Sequence, residues 1–101
     1  MQVSFKRNKL EKQCTDDREI RRAFPKFEKK LRLRISALRA ADSLGDLPAN
    51  DPNGTWHEVD SEGRGTWSGE LSGNWRILVL PSPIKSLGAT EVTVMEIKDY
   101  H

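Results

Sequence analysis

The sequence has little of several residue types, and each shortage excludes something. Its 101 residues include a single cysteine, so an internal disulfide and a zinc site built from several cysteines are both impossible. The longest apolar run is the four residues 77–80, too short to span a membrane. An apolar secretion signal and a lipidation motif are also lacking, so we expect a cytoplasmic protein with no membrane partner.

Positive charge is concentrated in the first half of the chain. Residues 1–48 carry 13 Lys and Arg against 7 Asp and Glu, whereas residues 49–101 carry 4 against 8. A basic surface suits a polyanion such as nucleic acid, although a basic run is more often a solvated helix face. The residues of this half that we predict to bind RNA are Lys26, Lys29, Lys30 and Arg34.

The pattern over about residues 6–41 predicts mainly helix, after a short strand at 3–5. Asp16 with Glu19 three residues later is typical of a capping box that starts a helix. Apolar residues then recur every three or four positions and predict a helix ending near Ala41. They are Phe24, Phe27, Leu31, Ile35 and Leu38. Residues 43–55 are rich in Gly, Pro, Asn and Asp and predict a loop.

From about 55 to 98 the sequence predicts mainly antiparallel strands. Short segments with β-branched or aromatic residues alternate with Gly, Ser, Pro and Asn clusters. These segments are residues 55–59, 65–71, 74–80 and 90–97. Helices followed by neighbouring strands indicate one small α+β domain, 1–101, with the helices packed on one face of an antiparallel twisted sheet.

Arg76 stands in the middle of a predicted strand. Alternation places Trp75 and Ile77 on one face of the sheet and Arg76 on the other, away from the helices. An arginine among apolar residues needs a partner. One interpretation is an ion pair with Glu70 or Glu96 on a neighbouring strand. The other is a guanidinium held rigidly to bind an anion such as phosphate.

The histidines suggest one class of chemistry. Cleavage of RNA through its own 2′-hydroxyl needs a base, an acid and a cation at the phosphate, and imidazoles serve both proton transfers near neutral pH. His57 and His101 are the only two histidines, and Arg76 would supply the charge. A metal site formed by the histidines with Asp99 and Cys14 has no supporting spacing.

An ordered set of residues runs through the second half of the chain and ends in Asp-Tyr-His. Its members are His57, Gly65, Trp67, Ser68, Asn74, Trp75, Arg76, Asp99, Tyr100 and His101. This set resembles the HigB toxins of the RelE/ParE superfamily, which are ribosome-dependent mRNA interferases of type II toxin–antitoxin systems. The layout of the first half is similar to the family too, so the resemblance covers nearly the full chain.

The resemblance implies roles for five catalytic residues. Arg76 would contact the scissile phosphate, and Tyr100 would position the nucleotide. His57, Asp99 and His101 would contribute proton transfer and orientation of the nucleophile. No metal or cofactor is implied. The implied partners are the ribosome with its mRNA, a cognate helix-turn-helix antitoxin of the HigA type, and operator DNA only through the complex with that antitoxin.

The chain departs from the family pattern just after His57. Asp60 stands where the family usually has lysine and Gly63 where it usually has arginine, while Arg64, one place later, is expected to substitute in part and to bind RNA. The change predicts weaker RNA binding. Two alternatives therefore stay open, a catalytically weak module that binds an antitoxin and a gyrase inhibitor of the ParE kind, which needs neither His57 nor the Asp-Tyr-His ending.

Overall fold

The computed structural model describes residues 1–100, which form an α+β domain as the sequence predicts. The helices are α1 (Asn8–Thr15), α2 (Asp17–Ala23), α3 (Glu28–Ala40) and α4 (Leu47–Asn50). The strands are β1 (Gln2–Phe5), β2 (His57–Glu58), β3 (Trp67–Glu70), β4 (Trp75–Ser82) and β5 (Glu91–Asp99). Within residues 1–100 no helix has the length and apolarity that a membrane crossing needs.

The sheet is mixed rather than wholly antiparallel. Its five strands lie in the order β1-β5-β4-β3-β2, and β2 to β5 are joined antiparallel. β1 instead pairs parallel with β5, where Gln2 is opposite Glu91. A parallel pair needs a crossover connection, and the helices between β1 and β2 are part of the long connection that makes this one possible. β5 therefore lies in the interior of the sheet, hydrogen-bonded on both sides.

The helices pack on one face of the sheet and enclose the core. The predicted stripe of α3 is buried, with Leu31, Ile35 and Leu38 at most 3% exposed. From the sheet, Ile77 and Val79 of β4 join the same core cluster. The predicted start of α2 is confirmed, because the Asp16 carboxylate accepts a hydrogen bond of 3.1 Å from the Glu19 backbone N–H.

Residues 43–55 are more ordered than the predicted loop. The 3₁₀ turns Leu44–Asp46 and Pro52–Gly54 flank α4. Proline near the start of α4 and of the second turn needs no N–H donor there, which explains how a proline-rich stretch forms helical turns. Trp56 follows this stretch, and its buried indole packs against Gly54 and Gly69 and donates a 2.9 Å hydrogen bond to Asp51.

Candidate active site on the open face of the sheet

The face of the sheet opposite the helices, here the open face, is set by strand register. Residues directly opposite each other in antiparallel strands share a face. Arg76 is opposite both Glu70 on β3 and Lys98 on β5. Ser68, two residues before Glu70 on β3, is opposite His57 on β2 and so shares this face. Trp75, on the other face, contacts the rings of Phe24 and Phe27 in the helical layer. Arg76 therefore lies on the open face, as alternation predicts.

A cavity of about 220 Å³ lies on this face. Its lining residues are His57, Val59, Ser61, Ser68, Glu70, Arg76 and Tyr100. The segment between β2 and β3 supplies one wall, because it folds back over the sheet far enough for Glu62 to reach Lys98 on β5. Leu78 also faces the open side and is only 2% exposed.

One ring nitrogen of His57 is committed to a backbone carbonyl, so the other is the one that can act as a base. Its Nδ1 lies 2.7 Å from the backbone oxygen of Thr55. A carbonyl oxygen only accepts hydrogen bonds, so Nδ1 carries the proton and the neutral ring keeps its lone pair on Nε2. Thr55 adopts a left-handed conformation, with φ of 48°, which is uncommon for a β-branched residue.

Thr55 also links His57 to the cation of the site. Its hydroxyl donates a 3.2 Å hydrogen bond to Glu70, and Glu70 lies 3.8 Å from the Arg76 guanidinium. The cross-strand pairing with Glu70 that the sequence suggested is thus present. Two backbone oxygens hold Nη1 of Arg76, those of Gly73 at 2.8 Å and Trp75 at 2.9 Å. With Nη1 held in this way, the guanidinium lines the cavity in a fixed position.

Tyr100 contributes a phenol that stays protonated at neutral pH. Burial and the neighbouring Glu62 carboxylate raise the pKa of Tyr100 to about 12. The hydroxyl is therefore a hydrogen-bond donor rather than a base. The backbone N–H of Tyr100 donates a 2.9 Å hydrogen bond to the backbone oxygen of Asn74. This bond continues the backbone pairing of β4 and β5 past the end of β5. Lys98 lies 5.0 Å from the centre of the ring.

Of the remaining two predicted catalytic residues, the structure describes only Asp99, which does not line the cavity. Asp99 is opposite Trp75, so it lies on the face that carries the helices and not on the open face as expected. Alternation along β5 explains the difference, because neighbours on a strand point to opposite faces. His101 lies outside the described residues. The structure thus brings together His57, Arg76 and Tyr100.

The residues predicted to bind RNA do not form one surface. Arg64 is exposed in the segment between β2 and β3, near the open face. Lys26, Lys29 and Lys30 are exposed on the helical layer, on the other side of the sheet. The prediction for Arg34 is wrong, because its guanidinium is buried and bonds to three groups of the protein itself. The acceptors are the backbone oxygens of Glu70 and Asn53 and the carboxylate of Asp51.

Carboxylates accompany three of the cations on and beside the open face. Lys98 lies 2.8 Å from Glu62, Arg76 lies 3.8 Å from Glu70, and Lys85 lies 2.8 Å from Glu58 and 4.0 Å from Asp60. The hydrogen bond from Lys98 is the largest influence lowering the pKa of Glu62, and the one from Lys85 has the same role for Glu58. The positive charge of this surface is therefore largely neutralised.

Sequence reasoning missed Lys98 and Glu62. Lys98 precedes Tyr100 by two residues, so alternation along the strand was a usable signal for a second cation on the open face. Glu62 had no such signal, because its position depends on how the segment before β3 folds back. Within residues 1–100 no group of three His, Cys, Asp or Glu side chains is placed to hold a metal ion.

Comparison with protein-family models and with curated proteins finds no match to this chain.

Proposed function

We propose that the chain is a metal-independent endoribonuclease, the toxin of a type II toxin–antitoxin system that cuts mRNA on the ribosome. The observation that carries the proposal is the cavity that joins His57, Arg76 and Tyr100 on the open face. An imidazole, a fixed guanidinium and a protonated phenol can serve as the base, the cation and the acid that cleavage through the 2′-hydroxyl needs. The resemblance to HigB toxins supplies the ribosome as the place of action.

The geometry supports a division of labour in the reaction. Nε2 of His57 takes the proton of the 2′-hydroxyl as the 2′-oxygen forms its bond to phosphorus. Arg76 neutralises the charge that builds on the non-bridging phosphate oxygens. The bond from phosphorus to the 5′-oxygen breaks, and that oxygen needs a proton, for which Tyr100 is a donor within the same cavity. The products are a 2′,3′-cyclic phosphate and a 5′-hydroxyl. His101 keeps the part in proton transfer or orientation that the resemblance implies, and Asp99, on the other face, takes no step in this scheme.

The partners of the proposal follow the resemblance. The toxin would act in the cytoplasm on mRNA bound to the ribosome and use no cofactor. A cognate helix-turn-helix antitoxin of the HigA type would hold it inactive, and operator DNA would be bound only through that complex. The exposed Lys26, Lys29 and Lys30 lie away from the cavity, so they are available for ribosomal RNA or for an acidic antitoxin surface.

Three variants test the proposal. Cleavage of ribosome-bound mRNA should fall at least about 100-fold in His57→Ala and in Arg76→Ala, the loss typical of a missing base or charge donor. A chain truncated after Lys98 should also lose cleavage. Arg39→Ala, which removes an exposed arginine of α3, is the matched control and should cleave like the parent. Circular dichroism checks that each variant is folded. Parental cleavage by His57→Ala or Arg76→Ala contradicts the mechanism.

A second candidate function is an antitoxin-binding module with little nuclease activity. The carboxylates beside Arg76, Lys85 and Lys98 favour it, because they weaken the attraction of the open face for RNA. Inducing the chain in a bacterium without its antitoxin separates the two. Growth arrest with cut mRNA supports the nuclease, whereas unaffected growth together with tight antitoxin binding supports the module.

A further inference from the structure

Two cations stand directly opposite each other on the open face. Arg76 of β4 and Lys98 of β5 are register partners, with side chains 25% and 37% exposed. Like charges in this arrangement repel each other and destabilise a sheet unless an anion lies between or beside them. Each of these two cations has a carboxylate of the protein beside it, Glu70 at Arg76 and Glu62 at Lys98.

A carboxylate of the protein already occupies the anion position at Lys98. Both oxygens of Glu62 accept hydrogen bonds from the Lys98 ammonium, at 3.0 Å and 2.8 Å. The same carboxylate neighbours the Tyr100 phenol and contributes to its raised pKa. The Glu62 side chain is only 13% exposed, and the Tyr100 ring centre lies 5.0 Å from the same ammonium. Two oxygens of a phosphodiester would accept from the Lys98 ammonium in the same way, beside the Tyr100 ring.

The turn that carries Glu62 is held by hydrogen bonds rather than by core packing. The 3₁₀ turn Asp60–Glu62 contains no buried residue. Lys98, its partner, is 37% exposed, and ion pairs that water reaches add little stability. Exchange of Glu62 for another anion at Lys98 therefore disturbs no core packing.

We propose that Lys98 and Tyr100 form a second phosphate subsite beside Arg76, and that Glu62 occupies this subsite in the free protein as a competing carboxylate. The subsite takes a phosphodiester of the RNA backbone next to the one bound by Arg76. The inference rests on the proposed function, because it assumes that RNA is the ligand of the open face. It makes Glu62 a residue that lowers RNA affinity, and it makes Lys98 a binding residue whose charge is masked.

The test measures binding without cleavage. The probe is a single-stranded oligonucleotide with 2′-O-methyl riboses, which cannot be cut through the 2′-oxygen. Glu62→Gln should raise its affinity roughly 5- to 10-fold at low salt and steepen the slope of log affinity against log salt by about 0.7, the value for one more phosphate contact on a single strand. The matched control is Glu91→Gln, which removes an exposed carboxylate at the far end of β5.

Lys98→Gln completes a double-mutant cycle. In the parent background it should lower affinity, and combined with Glu62→Gln it should abolish the gain, because the gain depends on the freed ammonium. Glu62→Gln should also lower the pKa of Tyr100 from about 12. Absorbance titration detects that shift, since Tyr100 is the only tyrosine in the sequence.

The outcomes separate the subsite from the nuclease. If Glu62→Gln gains no more affinity than Glu91→Gln, or if its gain survives Lys98→Gln, the subsite is refuted even where the parent cleaves mRNA. If the gain and its loss occur as expected while the parent leaves ribosome-bound mRNA intact, the subsite stands and the proposed nuclease function falls.

Discussion

Replacing Arg34 by methionine should destabilise the fold rather than weaken RNA binding. Arg34 is 4% exposed, and its guanidinium joins α3 to three backbone or side-chain acceptors. Nε donates to the Glu70 backbone oxygen at 2.7 Å, and Nη1 lies 3.2 Å from the Asp51 carboxylate. Methionine keeps most of the aliphatic stem, so the substitution removes chiefly the charge and the hydrogen bonds.

The loss in the free energy of unfolding comes mainly from the Asp51 carboxylate, which is left without its partner. Removing one partner of a buried ion pair costs about 3–5 kcal/mol, because the other charge stays buried without compensation. The Asp51 side chain keeps 13% exposure and a hydrogen bond from the Trp56 indole, so the lower end applies. A loss of about 3 kcal/mol in the free energy of unfolding lowers the midpoint temperature by roughly 12–24 °C in a domain of this size.

Thermal and urea unfolding followed by circular dichroism measure the effect. Arg39→Met is the control, because Arg39 is exposed on the same helix and should change stability by less than about 0.5 kcal/mol. Adding Asp51→Asn to Arg34→Met should recover at least about 1 kcal/mol by removing the stranded charge. Equal midpoint shifts in Arg34→Met and Arg39→Met would refute this reasoning, as would a loss of RNA affinity with unchanged stability.

Three further predictions concern stability and reactivity. Gly69→Ala should cost about 1–3 kcal/mol in urea unfolding, because the added Cβ would come 2.6 Å from the Trp56 ring; parental stability would contradict that packing. Cys14 should react far more slowly with an aromatic disulfide reagent at pH 8 in the native protein than in urea, since burial raises its pKa to about 12. Asp16→Ala should lower the free energy of unfolding by about 1 kcal/mol, because it removes the cap on the Glu19 N–H. Asp16→Asn should lower it clearly less.

Much of the fold was predictable because local periodicity determines the elements. The apolar spacing of α3 and the alternation of β4 gave the correct elements and the correct buried faces. The pairing of β1 with β5 was not predictable in this way, because Gln2 and Glu91 are far apart in sequence and no local pattern records their register. The turns around α4 depend on packing of the same long-range kind.

The candidate site was predictable in part for the same reason. Alternation placed Arg76 on the open face, and it also had the information to separate Asp99 from Tyr100. Arg34 was predictable too, since it lies three residues after Leu31 and four before Leu38, inside the apolar stripe of α3. The contact of Glu62 with Lys98 was beyond reach, because it depends on the path of a non-repetitive segment.

The position of β5 between β1 and β4 sets an order in which the sheet forms. β4 and β5 are joined by residues 83–90, whereas the β1–β5 pairing must close a loop almost as long as the chain. Closing the longer loop costs more entropy, so we expect β4 amides to gain protection from hydrogen exchange before β1 amides during refolding. Simultaneous protection would contradict this order. We therefore expect the strand pair that carries Arg76 and Lys98 to form first and the pairing with β1 to follow.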